Sequence, residues 1–205
     1  MLLSPTELDL RITKELAGFL KIHPLFDLGV QSMIRHNVLG GLWFGAALFI
    51  CWFKSTKESG SVTQVRVWTI LVGTTLAILL TLLGGALISW PPPSRYPGLE
   101  NLFKDYFDTN PNANCFPSQS TALYGAIAAG IYSLHKISGW VLWFMVAVFV
   151  ALPRMYVGGH YFTDVLVGAL LAVIGYAAAR HLLEARVTSK IPHWFEKNPA
   201  AQYLR

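Results

Sequence analysis

VWTILVGTTLAILLTLLGGALISW, residues 67–90, carries no charged side chain and runs straight into the triple proline at 91–93. A helix rises about 1.5 Å per residue and the hydrocarbon core of a bilayer is about 30 Å thick, so roughly 20 apolar residues cross it. This segment is long enough. Proline, which lacks the amide hydrogen a continuing helix would donate, ends it. The same reading predicts four more spans, at 38–53, 118–134, 137–152 and 162–179. Gly and Ala crowd the third and fifth, as expected where helices approach closely in lipid. Trp43, Trp52, Trp90, Trp140 and Trp143 read as interfacial anchors and packing.

The composition agrees. Of 205 residues, 54% are hydrophobic and 13% charged, against about 25% charged in a soluble domain. Seven Trp, eight Tyr and twelve Phe exclude disorder, and two Cys exclude a disulfide scaffold. The net charge of +5 sits in short stretches beside apolar runs, which points to anionic headgroups and not to nucleic acid. Residues 5–22 alternate Glu7, Asp9, Arg11, Lys14 and Glu15 with Leu, Ile and Phe at helical spacing, the pattern of an amphipathic helix lying on the membrane. No removable signal peptide is expected there. The expectation is one all-α membrane domain over 1–205, with an interfacial region at 1–36, a transmembrane core at 37–182 and a basic tail at 183–205.

Five spans place the loops at 91–116 and 153–161 on one face. The other face carries Lys54, Lys57, Arg66, Lys136 and Arg180, with Arg186, Lys190, Lys197 and Arg205 in the tail. By the positive-inside rule the tail is cytoplasmic and the long loop lies outside, at the plasma (inner) membrane.

Two polar clusters meet on that outer face. In Cys115-Phe-Pro-Ser-Gln-Ser-Thr121, Pro117 and Ser118 mark the start of a helix, with Ser118 at the N-cap and the Gln119 and Ser120 amides ahead of the helical ladder. Such a start attracts anions; it is also an ordinary cap. In Pro153-Arg-Met-Tyr-Val-Gly-Gly-His-Tyr-Phe-Thr-Asp164, a spacing of four sets His160 and Asp164 on one helical face. The carboxylate can take the proton of one ring nitrogen and leave the other nucleophilic, while Arg154 folds back across Gly158 and Gly159 to pair with an oxyanion. An imidazole nucleophile, an orienting carboxylate and a guanidinium form a phosphoryl-transfer set. Simple helix capping is the alternative, and two ligands without a third are a poor metal site.

Arg154-x5-His160-x3-Asp164 resembles the third signature of the type 2 phosphatidic acid phosphatase (PAP2) superfamily. Phe116-Pro-Ser-Gln-Ser120 lies where that family has Pro-Ser-x-His. The resemblance covers about 90–174. It implies a helical membrane bundle, a metal-free and cofactor-free reaction, His160 as a nucleophile that becomes phosphohistidine, and Asp164 as its orienter. It also implies that Arg154, Arg95, Ser118, Gln119 and Ser120 hold the phosphate. The sequence departs from the family in two places. Tyr96 follows Arg95 where the first signature has Pro, and Ile88 stands at that signature's Lys position. Ser120 occupies the place of the His that protonates the leaving group, and a hydroxyl is too weak an acid for that work. Tyr96, Lys104, Asp105, Asp108 and Cys115 lie in the right loop to replace it. The implied substrate is a lipid phosphate or pyrophosphate, with an isoprenoid pyrophosphate first, since a departing phosphate needs little acid help. The implied reaction is hydrolysis or transfer to an acceptor. Two rival readings are a degenerate relative that binds phospholipid or a membrane partner without turnover, and a transporter. A transporter should place charges in mid-span, and here they sit at span ends.

Overall fold

The computed structural model describes residues 5–35, 38–58, 60–106 and 114–187. Asp108 and the tail beyond Val187 lie outside them. The described chain is helical: α1 (Glu7–Ala17), α2 (Pro24–Arg35), α3 (Val38–Glu58), α4 (Gly60–Leu87), α5 (Glu100–Phe103), α6 (Gln119–Leu134), α7 (Lys136–Tyr156) and α8 (Phe162–Val187). Three stretches have the length and apolarity to cross a membrane, Val65–Leu87, Lys136–Tyr156 and Phe162–Leu183, with Gly41–Phe53 a shorter apolar helix. Every predicted span is a helix, and each element keeps its place in the order.

The bundle is built around α4, α6 and α8, which pack most extensively on one another. Small residues allow it. Ala77, Ala122, Ala126 and Ala172 form a buried seam among the three. A Cβ on Gly175 would lie 2.7 Å from the Gly73 carbonyl oxygen, so α4 and α8 touch backbone to backbone. Phe44, Ile70, Tyr124, Ile131, Leu142 and Tyr176 fill a second core toward α3 and α7. Trp43, Trp68, Trp140 and Phe144 point outward and are exposed, apolar surface suited to a bilayer.

The helix of the 67–90 span ends at Leu87, and those of 38–53 and 162–179 run on to Glu58 and Val187; two further differences bear on the site. The fourth span does not stop at Leu152. A π-helical turn at Val146–Ala151 absorbs the missing amide of Pro153, so α7 runs on to Tyr156 and carries Arg154 on its last turn. The interfacial region is two helices, not one: α1, closed at its start by a Thr6–Asp9 capping box, then α2, reached through Lys21 in a left-handed conformation (φ 68°). Leu8, Phe19, Ile22, Leu25, Phe26 and Leu28 on this pair are exposed, an apolar surface suited to the membrane interface.

Candidate active site

Three helix ends converge on the predicted outer side: the start of α6, the end of α7 and the start of α8. The turn between α7 and α8 is held by bonds from the Gly159 amide to the Arg154 carbonyl (2.8 Å) and from the Gly158 amide to that of Met155 (3.1 Å). Gly158 sits at φ 76° against the Phe103 ring, a conformation and a clearance that only glycine meets. The Ser94 amide donates to the Gly158 carbonyl at 3.0 Å, joining the 91–116 loop to this turn. The two loops share a face, as the span count requires.

His160 ends the turn, largely buried. Its Nδ1 lies 2.9 Å from the Cys115 carbonyl oxygen and 3.6 Å from Asp164 Oδ2. A carbonyl can only accept, so Nδ1 is the donor, and in the neutral ring this tautomer leaves the lone pair on Nε2. The anticipated His160–Asp164 hydrogen bond is thus taken over by a backbone carbonyl. Asp164, at ion-pair distance, contributes charge.

The Asp164 carboxylate is fully buried and doubly held. It accepts from the Trp90 indole at 3.0 Å and from the Tyr161 amide at 2.7 Å. The second bond is half a capping box, closing α8 onto the residue before it. Trp90 is therefore not an interfacial anchor but a buried donor, stacked edge-on against Phe116. Its place at a span end hid this role. The Ser118 amide donates to the Asp164 backbone carbonyl at 3.0 Å, fastening the start of α6 to that of α8. Asn114, which the sequence did not single out, accepts from the Phe116 amide (3.0 Å) and donates to the Gly85 carbonyl (2.8 Å), pinning the 114–117 loop to α4.

A cleft of about 370 Å³ opens here, lined among others by Thr81, Leu82, Gln119, Ser120, Arg154 and His160. Four predicted site residues thus share one space, with Asp164 directly behind. Ser118 and Arg95 do not line it. Ser118 stands at the N-cap of α6, but its hydroxyl turns to Thr121 Oγ1 (3.0 Å) and makes no capping bond. Arg95 closes the 3-10 turn Pro93–Arg95, one residue from the Ser94–Gly158 bond. Among the described residues no three His, Cys, Asp or Glu side chains converge as a metal ion would need.

The described candidates for a replacement acid are also outside the cleft. Asp105 pairs with Lys21 on the surface at 2.9 Å, and Lys104 is exposed. Cys115 is buried with its sulfur toward the Trp90 carbonyl, and burial, with Asp164 adding, pushes its thiol up. Tyr96 packs among Leu99, Phe103 and Tyr156.

The PAP2 superfamily model matches residues 66–188. The chain is 29% identical over 154 residues, 72% of its length and 71% of the relative's, to the bacitracin transport permease protein BcrC of Bacillus licheniformis. In three dimensions it resembles the crystal structure of Aquifex aeolicus LpxE, with a TM-score of 0.63 over 87% of this chain and 98% of that one at 22% identity, a likeness of fold. With the family's model covering more than half the chain, from α4 through the end of α8, the protein belongs to the PAP2 superfamily.

Proposed function

We propose that this membrane lipid phosphatase acts on a lipid pyrophosphate, with an isoprenoid pyrophosphate the first choice, through a phosphohistidine on His160. One observation carries the reading. An imidazole whose Nδ1 is engaged by a carbonyl lines the cleft that also holds Arg154 and the first turn of α6, which leaves Nε2 to serve as the nucleophile. The Nε2 lone pair attacks the terminal phosphorus, and the phosphoanhydride bond breaks with its electron pair leaving on the lipid monophosphate. Arg154 and the Gln119 and Ser120 amides hold the phosphoryl oxygens, and buried Asp164 stabilises the imidazolium. Water, or an acceptor hydroxyl, then displaces His160 from phosphorus.

The substrate choice rests on acidity. General acid catalysis is worth about 10²–10⁴-fold, and among the described residues no carboxylic acid, phenol or second imidazole lines the cleft. A monoester must expel an alkoxide, which needs a proton; an anhydride expels a phosphate, which does not. The apolar Leu82 wall suits a lipid chain approaching from the bilayer, and Arg66, Lys136 and Arg180 at the opposite ends of their helices favour an outward-facing site at the plasma membrane.

The test is phosphate release in detergent micelles from a matched pair, a polyprenyl pyrophosphate and a phosphatidate. The expected ratio of kcat/KM is about 10² or more in favour of the pyrophosphate. His160→Ala should abolish release and the acid-labile phosphoenzyme. Equal turnover of both substrates would remove the leaving-group argument, and turnover surviving His160→Ala would remove the nucleophile. Ser120→His, which puts an imidazole in the cleft, should raise phosphatidate turnover selectively.

A further inference from the structure

We propose that α1 and α2 are part of the catalytic scaffold, with Asp9 and Asp27 as positioning residues that clamp the two ends of the turn bearing Arg154 and His160. The inference rests on the phosphoryl-transfer reading of that turn.

Asp9 lies on an interfacial helix, yet it is fully buried. Its Oδ1 accepts from the Thr163 backbone amide at 2.9 Å and its Oδ2 from the Thr163 hydroxyl at 2.9 Å. Thr163 is the second residue of α8, one before Asp164 and three after His160. An α-helix leaves its first amides without partners of its own. Here one is satisfied by a carboxylate from a segment 154 residues away, with a negative charge at the positive end of the helix. The same Oδ2 also accepts from the Thr6 amide (3.0 Å) and hydroxyl (2.8 Å), so the start of α1 and the start of α8 close each other. Leu10, one residue on, packs against the Trp90–Cys115–Tyr161 cluster, whose Cys115 carbonyl meets His160 Nδ1.

Asp27 does the same for the other end. It is buried on α2 and accepts from the Tyr156 hydroxyl (2.6 Å), the Lys21 amide (2.8 Å) and the Tyr106 hydroxyl (2.9 Å). Tyr156 is two residues beyond Arg154. Between these two anchors the turn 157–161 has little freedom, and Val157 is itself buried with Ala17, Leu20 and Val30 of the helical pair. Membrane docking of α1 and α2 would therefore be felt directly at the phosphate-binding turn.

The experiment uses the full chain in detergent micelles, with a polyprenyl pyrophosphate as substrate and amide hydrogen exchange as a second readout. Loss of a cap shifts the opening equilibrium of a helix end by about tenfold. Asp9→Ala should speed exchange across 160–165 by that order while α4 is unchanged, and should lower kcat about tenfold or more with KM nearly constant. Asp9→Asn, which keeps an acceptor for the Thr163 amide, should recover most of the loss. Thr163→Val, nearly isosteric, removes one arm and should give a smaller fall in kcat, and it is the variant to read if Asp9→Ala does not fold. Wild-type kcat in both Asp9→Ala and Thr163→Val would overturn the proposal, as would exchange that rises equally in α4 and α8. If the wild-type chain releases no phosphate, the functional reading fails, and local exchange in Asp9→Ala still decides the clamp.

Discussion

Gly168→Ala tests the architecture with one methyl group. An added Cβ at 168 would sit 2.5 Å from the Ser118 carbonyl oxygen. Such contacts normally begin at about 3.2 Å, and the obstacle is backbone on both sides, so no rotamer relieves it. The starts of α6 and α8 must part by about 0.7 Å, at the place where the Ser118 amide meets the Asp164 carbonyl. Overpacking of this kind costs about 1–3 kcal/mol. The larger effect is on rate. Gln119 and Ser120 move with α6 while His160 moves with α8, and a displacement approaching 1 Å between reacting groups costs about 10²-fold. Steady-state phosphate release from the pyrophosphate, with thermal unfolding in the same detergent, measures both. Gly29→Ala is the control, because nothing lies within 4 Å of its Cβ, and it should be neutral or stabilising by about 1 kcal/mol. Gly168→Ala with kcat within threefold of wild type would mean that the α6–α8 contact does not set the catalytic geometry.

Trp90→Phe keeps the ring against Phe116 but removes the buried donor to Asp164. A hydrogen bond to a charged group is worth about 1.5–3 kcal/mol, so the melting temperature should drop measurably and kcat fall about tenfold, and an unchanged pair of values would deny the bond its role. For Asp27, burial acts to raise the carboxyl, but bonds from Tyr156, Lys21 and Tyr106 and the charge of His23 outweigh it and hold the pKa below 3.8. A lowered folded pKa gives stability that is complete above 3.8 and lost as pH falls through the folded value. Thermal unfolding should therefore show wild type losing stability below that point more steeply than Asp27→Asn, which should be less stable by about 2 kcal/mol near neutrality. Tyr106, pushed up to about 12 by burial and the facing Asp27, should stay protonated and silent throughout the neutral range in a spectroscopic titration.

Lipid makes some features legible in a sequence and leaves others silent. The spans could be read because hydrocarbon excludes charge over a fixed length, and 67–90 carries none, the hydroxyls of Thr69, Thr74, Thr75 and Thr81 bonding back to the helix's own carbonyls. His160, Arg154, Gln119 and Ser120 could be read because polar groups at span ends have few reasons to be there. The continuation of α7 through Pro153 could not, since it depends on a π-helical turn that has no residue signature. Trp90 and Asp9 were hidden by good general rules. Tryptophan near a span end usually anchors at the interface, and an acid in an alternating amphipathic helix usually faces water. Each rule yields here to one long-range partner, Asp164 for the indole and Thr163 for the carboxylate, and pairing across such separations leaves no mark in local spacing. The split between Ser118 and its neighbours was equally invisible. All three stand at the start of α6, and the first alone turns inward, its hydroxyl on Thr121 one turn along the same helix.

Backbone amides at the three converging helix ends bear on where the proposed phosphate would sit. A buried amide without an acceptor costs about 1–3 kcal/mol, and near lipid there is little water to supply one. At the start of α8 the Tyr161 amide goes to Asp164 and the Thr163 amide to Asp9. At the end of α7 the Gly158 and Gly159 amides return to the carbonyls of Met155 and Arg154. At the start of α6 the Ser118 amide goes to Asp164, and the helical ladder begins with Ala122 bonding to Ser118. The amides ahead of that ladder are the open ones of a helix start, and Gln119, exposed, and Ser120, half-buried, line the cleft with His160 and Arg154. In the proposed mechanism the phosphoryl oxygens accept from them. The phosphoryl group of the proposed reaction lies in the cleft that Gln119, Ser120, Arg154 and His160 line together. Two carboxylates from the interfacial helices, remote in sequence, hold that organisation in place.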